Sequence, residues 1–420
     1  MHRSPFARSL LLATGGLAEA GPAAADFLSD GKGTLELRNF YFNRDFRQDG
    51  APQAKAEEWA QGFLLRLESG YTEGTIGVGV DALGLLGVKL DSGAGRSGSG
   101  LLKRDRETGE AQDEYGELGM TAKLRASKST LKVGTLQPKL PSVLANDSRL
   151  LPQTFQGVHL NSRELDGLNL DAGRLRRVNQ RDSSNYEEMT LTILGAKNIS
   201  IRSGTSSDHF DFAGLSYQWS DRLTTAYHYG ALDGFYRQHS LNLVHLWPLA
   251  EGHALKTDLR YSDSSHDGSS NVDNRAFGAM FTYSLGAHTL GAGYQAMRGD
   301  TGFAYINGTD AALVNFVQIG DFANKDETSW QLRYDYDFAA LGLPGLSFMT
   351  RYLSGDGIDL GAGRPEGKEW ERDTDIGYVV QSGPLKNLGI RWRNATVRSS
   401  HFGNDLDENR LILSYSLALW

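Results

Sequence analysis

The chain has no cysteine, which excludes a disulfide framework and suits export through an oxidising periplasm, as it also suits many proteins that stay in the cytosol. Beyond the N-terminus it has no apolar run of about 18 residues, so it does not cross a membrane as helices. It also lacks a basic excess. Its 43 Lys and Arg against 51 Asp and Glu leave a net charge of −8, which argues against a nucleic-acid partner. The 10 His show no ligand spacing, so neither a metal site nor a cofactor is expected. None of these absences excludes a transmembrane β-barrel. Each strand of a barrel shows only every second side chain to lipid, so mean hydropathy stays low, −0.40 here.

What is present fits a barrel. Gly is abundant at 50 residues against 10 Pro, and 17 Tyr and 18 Phe could supply girdles. Residues 1–25 read as a secretory signal peptide: Arg3 and Arg8, a short apolar stretch Leu10-Leu11-Leu12-Ala13, then small residues ending Ala23-Ala24-Ala25. From Thr34 the chain repeats runs of about ten residues with period-2 alternation. Leu255, Leu259 and Tyr261 alternate with Lys256, Asp258 and Arg260, and Trp330, Leu332, Tyr334 and Tyr336 with Gln331, Arg333, Asp335 and Asp337. Eighteen such strands are expected, from 34–43 through 57–69, 74–81 and 373–382 to 409–419. Met189-Leu194 and Ile199-Ile201 are assigned to a long connection. Long gaps (among them 82–114, 136–153, 176–209 and 298–327) alternate with short ones, the pattern of external loops and periplasmic turns. Trp59, Tyr261, Trp330 and Tyr352 fall at outer strand ends, and Tyr71, Trp219, Trp247 and Tyr283 at inner ends, as two aromatic bands at the membrane boundaries. The expectation is an all-β fold: one transmembrane antiparallel β-barrel over 26–420 in a bacterial outer membrane, with lipid and lipopolysaccharide around it.

A barrel this wide is not filled by its own side chains, so it holds a channel narrowed by inward loops, with 136–153, 176–209 and 298–327 as candidates. Strand phase turns inward the bases Arg38, Arg66, Lys123, Arg125, Lys132, Lys256, Arg260, Arg333, Arg351, Arg391, Arg393 and Arg410. It turns inward the acids Glu36, Glu68, Asp81, Glu117, Asp171, Asp258, Asp335, Asp337 and Asp375. That is 12 basic to 9 acidic in a chain that is acidic as a whole. A basic lumen draws anions, and Arg forks hold carboxylates. Because the last strand of a closed barrel pairs with the first, Arg391, Arg393, Arg410 and Arg38 are expected to form one patch at the seam.

Several segments resemble the outer membrane porin D family of pseudomonads. These are Leu37-Arg38-Asn39-Phe40-Tyr41-Phe42-Asn43-Arg44-Asp45, Glu57-Glu58-Trp59-Ala60-Gln61-Gly62-Phe63, Gly79-Val80-Asp81-Ala82-Leu83-Gly84, Asn146-Asp147-Ser148-Arg149-Leu150-Leu151-Pro152-Gln153-Thr154-Phe155, Tyr236-Arg237-Gln238 and Glu408-Asn409-Arg410-Leu411-Ile412. The likeness runs from about residue 27 to the end. It implies a monomeric eighteen-stranded barrel whose lumen carries a ladder of bases opposite an electronegative patch. By position the ladder is Arg38, Arg44, Arg149, Arg181, Arg391, Arg393 and Arg410, with Asp300 as the candidate acid. It also implies passive uptake of small carboxylate solutes: amino acids, small peptides or aromatic acids. An aromatic C-terminus read by the barrel assembly machinery is supplied by Trp420, although the phase of the last strand puts that residue on the other face.

Two other functions compete with a channel. An outer-membrane hydrolase needs a Ser and His pair, and Ser265-His266-Asp267, in an expected external loop, reads as loop filler. An adhesin needs only the loops and predicts a closed lumen. The chain is therefore read as a porin and not an enzyme.

Overall fold

In the computed structural model, which describes residues 30–105, 107–403 and 405–420, eighteen long antiparallel strands close into a barrel. The expected signal peptide lies outside the described residues. In chain order the strands are β1 Lys32–Phe46, β2 Lys55–Glu68, β3 Ile76–Asp91, β4 Glu114–Ala126, β5 Ser129–Leu136, β6 Thr154–Ser162, β7 Leu168–Asn179, β8 Phe210–Ser220 and β9 Leu223–Leu232. They continue as β10 Tyr236–Ala250, β11 His253–His266, β12 Asp273–Leu285, β13 His288–Arg298, β14 Thr328–Asp337, β15 Leu346–Ile358, β16 Gly367–Val379, β17 Gly389–Ser400 and β18 Leu406–Ala418. β18 pairs with β1 from Phe46↔Leu406 to Thr34↔Ala418, which leaves the barrel no free edge. Trp420 caps this seam. Its ring lies so close over Gly33 that a Cβ there would come within 2.9 Å.

The period-2 pattern decides which face of each strand meets water. On β1 and β2, Leu35, Leu37, Trp59, Phe63 and Leu65 face lipid, while Glu36, Arg38 and Arg66 face the lumen and meet one another there. In the outer girdle the Tyr352 ring lies between those of Trp330 and Trp370, 5.7 Å from each. Trp219 and Trp247 are exposed at the inner ends. Tyr71 does not join them, contrary to expectation. The turn carrying it folds back into the lumen, where Lys123 and Arg125 stand over its ring at 4.9 and 4.3 Å.

Loops 137–153, 180–209 and 299–327 fold inward as expected, tied to each other by the bridges Leu144↔Asp310 and Leu191↔Ile306. Met189-Leu194 and Ile199-Ile201 form only isolated bridges among the described residues, from Met189 to Ser207, Leu191 to Ile306 and Ile201 to Ser270. Loop 92–113 folds inward too, which its sequence did not reveal. Its Leu101 and Leu102 bury Phe40, Phe42 and Leu64 of the wall together with Leu150 and Leu151. A second apolar cluster joins Val143, Met189, Leu191 and Ile306 from three loops to the wall residues Phe155, Phe210 and Phe212. Loop 137–153 belongs to both clusters. Each large apolar side chain so buried contributes about 1.5–3 kcal/mol. The polar stretch Asn146-Asp147-Ser148-Arg149 is thereby fixed between two apolar anchors.

Candidate functional site

The site is built where that polar stretch meets the seam. Strand pairing opposes Arg393 to Arg410 and Arg410 to Phe42, so inward positions of β17, β18 and β1 lie side by side. The seam patch does assemble on adjoining strands, but its charge is not bare. Arg391 and Arg393 share Asp375 at 2.6 and 3.1 Å. Arg410 and Arg44 share the fully buried Glu408 at 2.5 and 2.6 Å. Arg38 meets Glu36 and Asp147, both at 2.7 Å, and donates to the Arg149 carbonyl at 2.8 Å. These strand arginines are held in ion pairs that fix where each guanidinium points.

Arg149 and Arg181 differ. Among the described residues neither has a carboxylate at ion-pair distance. Arg149, only 6% exposed, donates to the Ser99 carbonyl at 3.3 Å and lies over the Phe42 ring. Arg181 donates to Asn146 Oδ1 at 2.9 Å and to Ser148 Oγ at 3.2 Å. Burial, then the like charges of Arg410 and Arg181, push Arg149 well below its ordinary pKa, and burial lowers Arg181 as well. Burial is the first cause of both shifts; at Arg149 like charge adds to it, while at Arg181 the pull of Asp182 and Asp310 works against it. A buried cation in that condition is stabilised by an arriving anion.

Asp300 is not the opposing acid. It is exposed at the start of loop 299–327, where its carbonyl accepts from Asn198 Nδ2 at 3.2 Å. The acid of that loop that reaches the arginines is Asp310. Its carboxylate accepts from Asn146 Nδ2, on the residue that also binds Arg181. Burial pushes Asp310 up to about 6, against the opposing pull of Asn146, Arg181 and Arg149.

Sequence reasoning missed three further residues. Glu408 fell just before the expected start of the last strand. Phe42 carries no mark in its sequence beyond an apolar ring, yet Arg44, Arg149 and Arg410 all stand over that ring at 5.2 to 5.7 Å. Gln318, at the tip of loop 299–327, accepts from Arg410 through its carbonyl at 3.1 Å and donates its amide to Glu408 at 3.2 Å. No sequence pattern marks a loop tip that folds onto a distant wall.

Ser265-His266 ends β11 and so is not in a loop, and Asp267 is tied to Arg237 at 3.0 Å. The ligand atoms of Asp208, His209 and Asp233 lie within 4.8 Å of one another, with both aspartates exposed.

Comparison with known proteins agrees with the geometry. The family described as outer membrane porin, OprD family, matches residues 25–419. The porin-like protein GalP of Pseudomonas putida is 38% identical over 402 residues, 94% of each chain. The crystal structure of Pseudomonas aeruginosa OpdQ is similar with a TM-score of 0.88 and 67% identity, over 94% of this chain and 100% of that one. That of Pseudomonas aeruginosa OpdK with vanillate is similar with a TM-score of 0.86 and 41% identity, over 94% and 100%. These relatives are porins and not enzymes. A closed barrel with loops folded into its lumen, matched to that family over nearly its whole length, belongs to the OprD family of outer membrane porins and is a channel of the bacterial outer membrane.

Proposed function

We propose that the channel passes small carboxylate-bearing solutes (amino acids, small peptides or aromatic acids) down their gradients, along Arg38, Arg44, Arg149, Arg181, Arg391, Arg393 and Arg410. The observation that carries this reading is that Arg149, buried, and Arg181, half-buried, have no carboxylate at ion-pair distance among the described residues. In a low-dielectric constriction two such guanidiniums bind a carboxylate in place of the ion pair they lack, and the paired arginines on either side form weaker steps. Asp310 beside them offers an acceptor for the ammonium of an amino acid. The relative OpdK was crystallised with vanillate, an aromatic carboxylate, which supports the same solute class here.

Uptake into liposomes, compared across arginine, glutamate, a dipeptide and benzoate, tests the reading. Benzoate and glutamate uptake are expected to fall in Arg149→Gln and Arg181→Gln while the barrel stays folded. Equal uptake by wild type and both variants, or a channel indifferent to the carboxylate, overturns it.

A further inference from the structure

The lipid-facing surface carries a feature that solute passage does not use. Outward residues of five neighbouring strands stand in one register row, Phe281↔Ala292↔Leu332↔Tyr352↔Arg372. Ala292 offers a methyl where its row-mates are large, and Thr350 in the adjoining row is small as well. The result is a groove of about 620 Å³ on the outside of β11 to β16, walled by Phe281, Leu332, Tyr334 and Tyr352, with Arg372 in its lining.

Arg372 is anomalous for this surface. It is exposed and faces lipid, and its only side-chain hydrogen bond among the described residues is a long one to Thr396 Oγ1 at 3.4 Å. It has no carboxylate at ion-pair distance among those residues. The outward Arg174, by contrast, meets Asp211 at 2.6 Å. An unpaired Arg on the lipid face of a barrel costs about 2–4 kcal/mol at mid-membrane and about 0–1 near the boundary. Arg372 stands directly opposite Tyr352 of the outer girdle, two residues from Trp370, on a strand that enters the membrane from an external loop. Its head therefore reaches the level of the outer-leaflet headgroups along its own apolar stem.

We infer that this groove seats one molecule of the phosphorylated glycolipid of the outer leaflet, with a lipid A phosphate on Arg372 and an acyl chain lying over Ala292. Two features of different kind coincide here. The groove fits a flexible apolar chain, and of the arginines that line it Arg333 and Arg351 are paired with Asp335 and Asp373, which leaves Arg372, among the described residues, as the cation at headgroup depth without an acid, and such a cation selects an anionic phosphate over a zwitterionic headgroup.

Native mass spectrometry of the purified full-length porin, titrated with lipid A and separately with phosphatidylethanolamine, tests this. Wild type is expected to retain one lipid A in preference to phosphatidylethanolamine. Arg372→Gln is expected to lower lipid A affinity about fivefold and leave phosphatidylethanolamine unchanged, from roughly 1 kcal/mol per headgroup-level Arg. Ala292→Phe, which fills the floor, is expected to lower retention of both lipids, and excess inorganic phosphate to displace neither. Neither residue faces the lumen, so single-channel conductance and heat-modifiable gel mobility report that both variants fold. Lipid A retained by both folded variants at the wild-type level, or both lipids retained equally by wild type, overturns the inference.

Discussion

The guanidinium carbon of Arg149 lies 5.2 Å from the centre of the Phe42 ring, and that one ring also underlies Arg44 and Arg410. A ring face attracts a cation by about 0.5–1 kcal/mol when exposed and about 2 when dry. Unlike a carboxylate, it leaves the hydrogen-bonding edge of the fork unoccupied. Phe42→Leu keeps an apolar filler and removes the attraction. Benzoate uptake is expected to fall about five- to thirtyfold for a loss of roughly 1–2 kcal/mol, with the barrel still heat-modifiable on gels. Unchanged uptake would reduce the ring to a spacer.

The pairing of the arginines ranks their substitutions. Among the described residues Arg149 has no acid at ion-pair distance, whereas the more exposed Arg391 shares Asp375 with Arg393. Arg149→Gln removes a site for a charged hydrogen bond, about 1.5–3 kcal/mol, and is expected to cut glutamate uptake at least tenfold. Arg391→Gln leaves Arg393 on Asp375 and is expected to cost less than about threefold. Initial rates in the same liposomes compare the two, and the reverse order would place the solute at the seam.

Strand number and phase were legible because lipid on one face and water on the other impose alternation. The misreadings fall where that contrast fails. β3 was expected to end at 81 because Leu83, Leu85 and Gly87 face inward into the cover of loops 92–113 and 137–153, so both faces of the strand are apolar there. The last strand was expected to begin at 409, which hid Glu408, because its outer end rises past the lipid and carries charge on both faces. Asp300 and Asp310 are ten residues apart in one loop. Only the bridge from Asp310 to Leu144, a contact across more than 160 residues, decides which of them reaches the arginines.

Asp310 should make selectivity depend on pH. Its folded pKa is about 6, so between pH 8 and pH 5 it takes up a proton and removes one negative charge from beside Arg149 and Arg181. Preference for anions over cations is expected to rise as pH falls through 6. Reversal potentials in a salt gradient across planar bilayers measure this. Asp310→Asn at pH 8 should match wild type at pH 5 and show a flatter profile. A profile as steep in the variant as in wild type would assign the titration to another group.

The tip of loop 299–327 is held by an acid on the wall. Glu371, fully buried on β16, accepts the backbone N–H of Ile319 at 3.0 Å and of Gly320 at 2.7 Å, and Asp373 accepts that of Gln318 at 3.4 Å. Glu371→Leu keeps most of the volume and strands two buried donors, at about 1–3 kcal/mol each. The tip is then expected to leave the wall and release Gln318 from Arg410. Single-channel recordings should show a larger and noisier current, with Glu371→Gln intermediate because its amide oxygen still accepts one of the two bonds. If current and noise match wild type in Glu371→Leu, the loop tip is held by Val317 and Phe322 packed with Leu353, and not by the acid on β16.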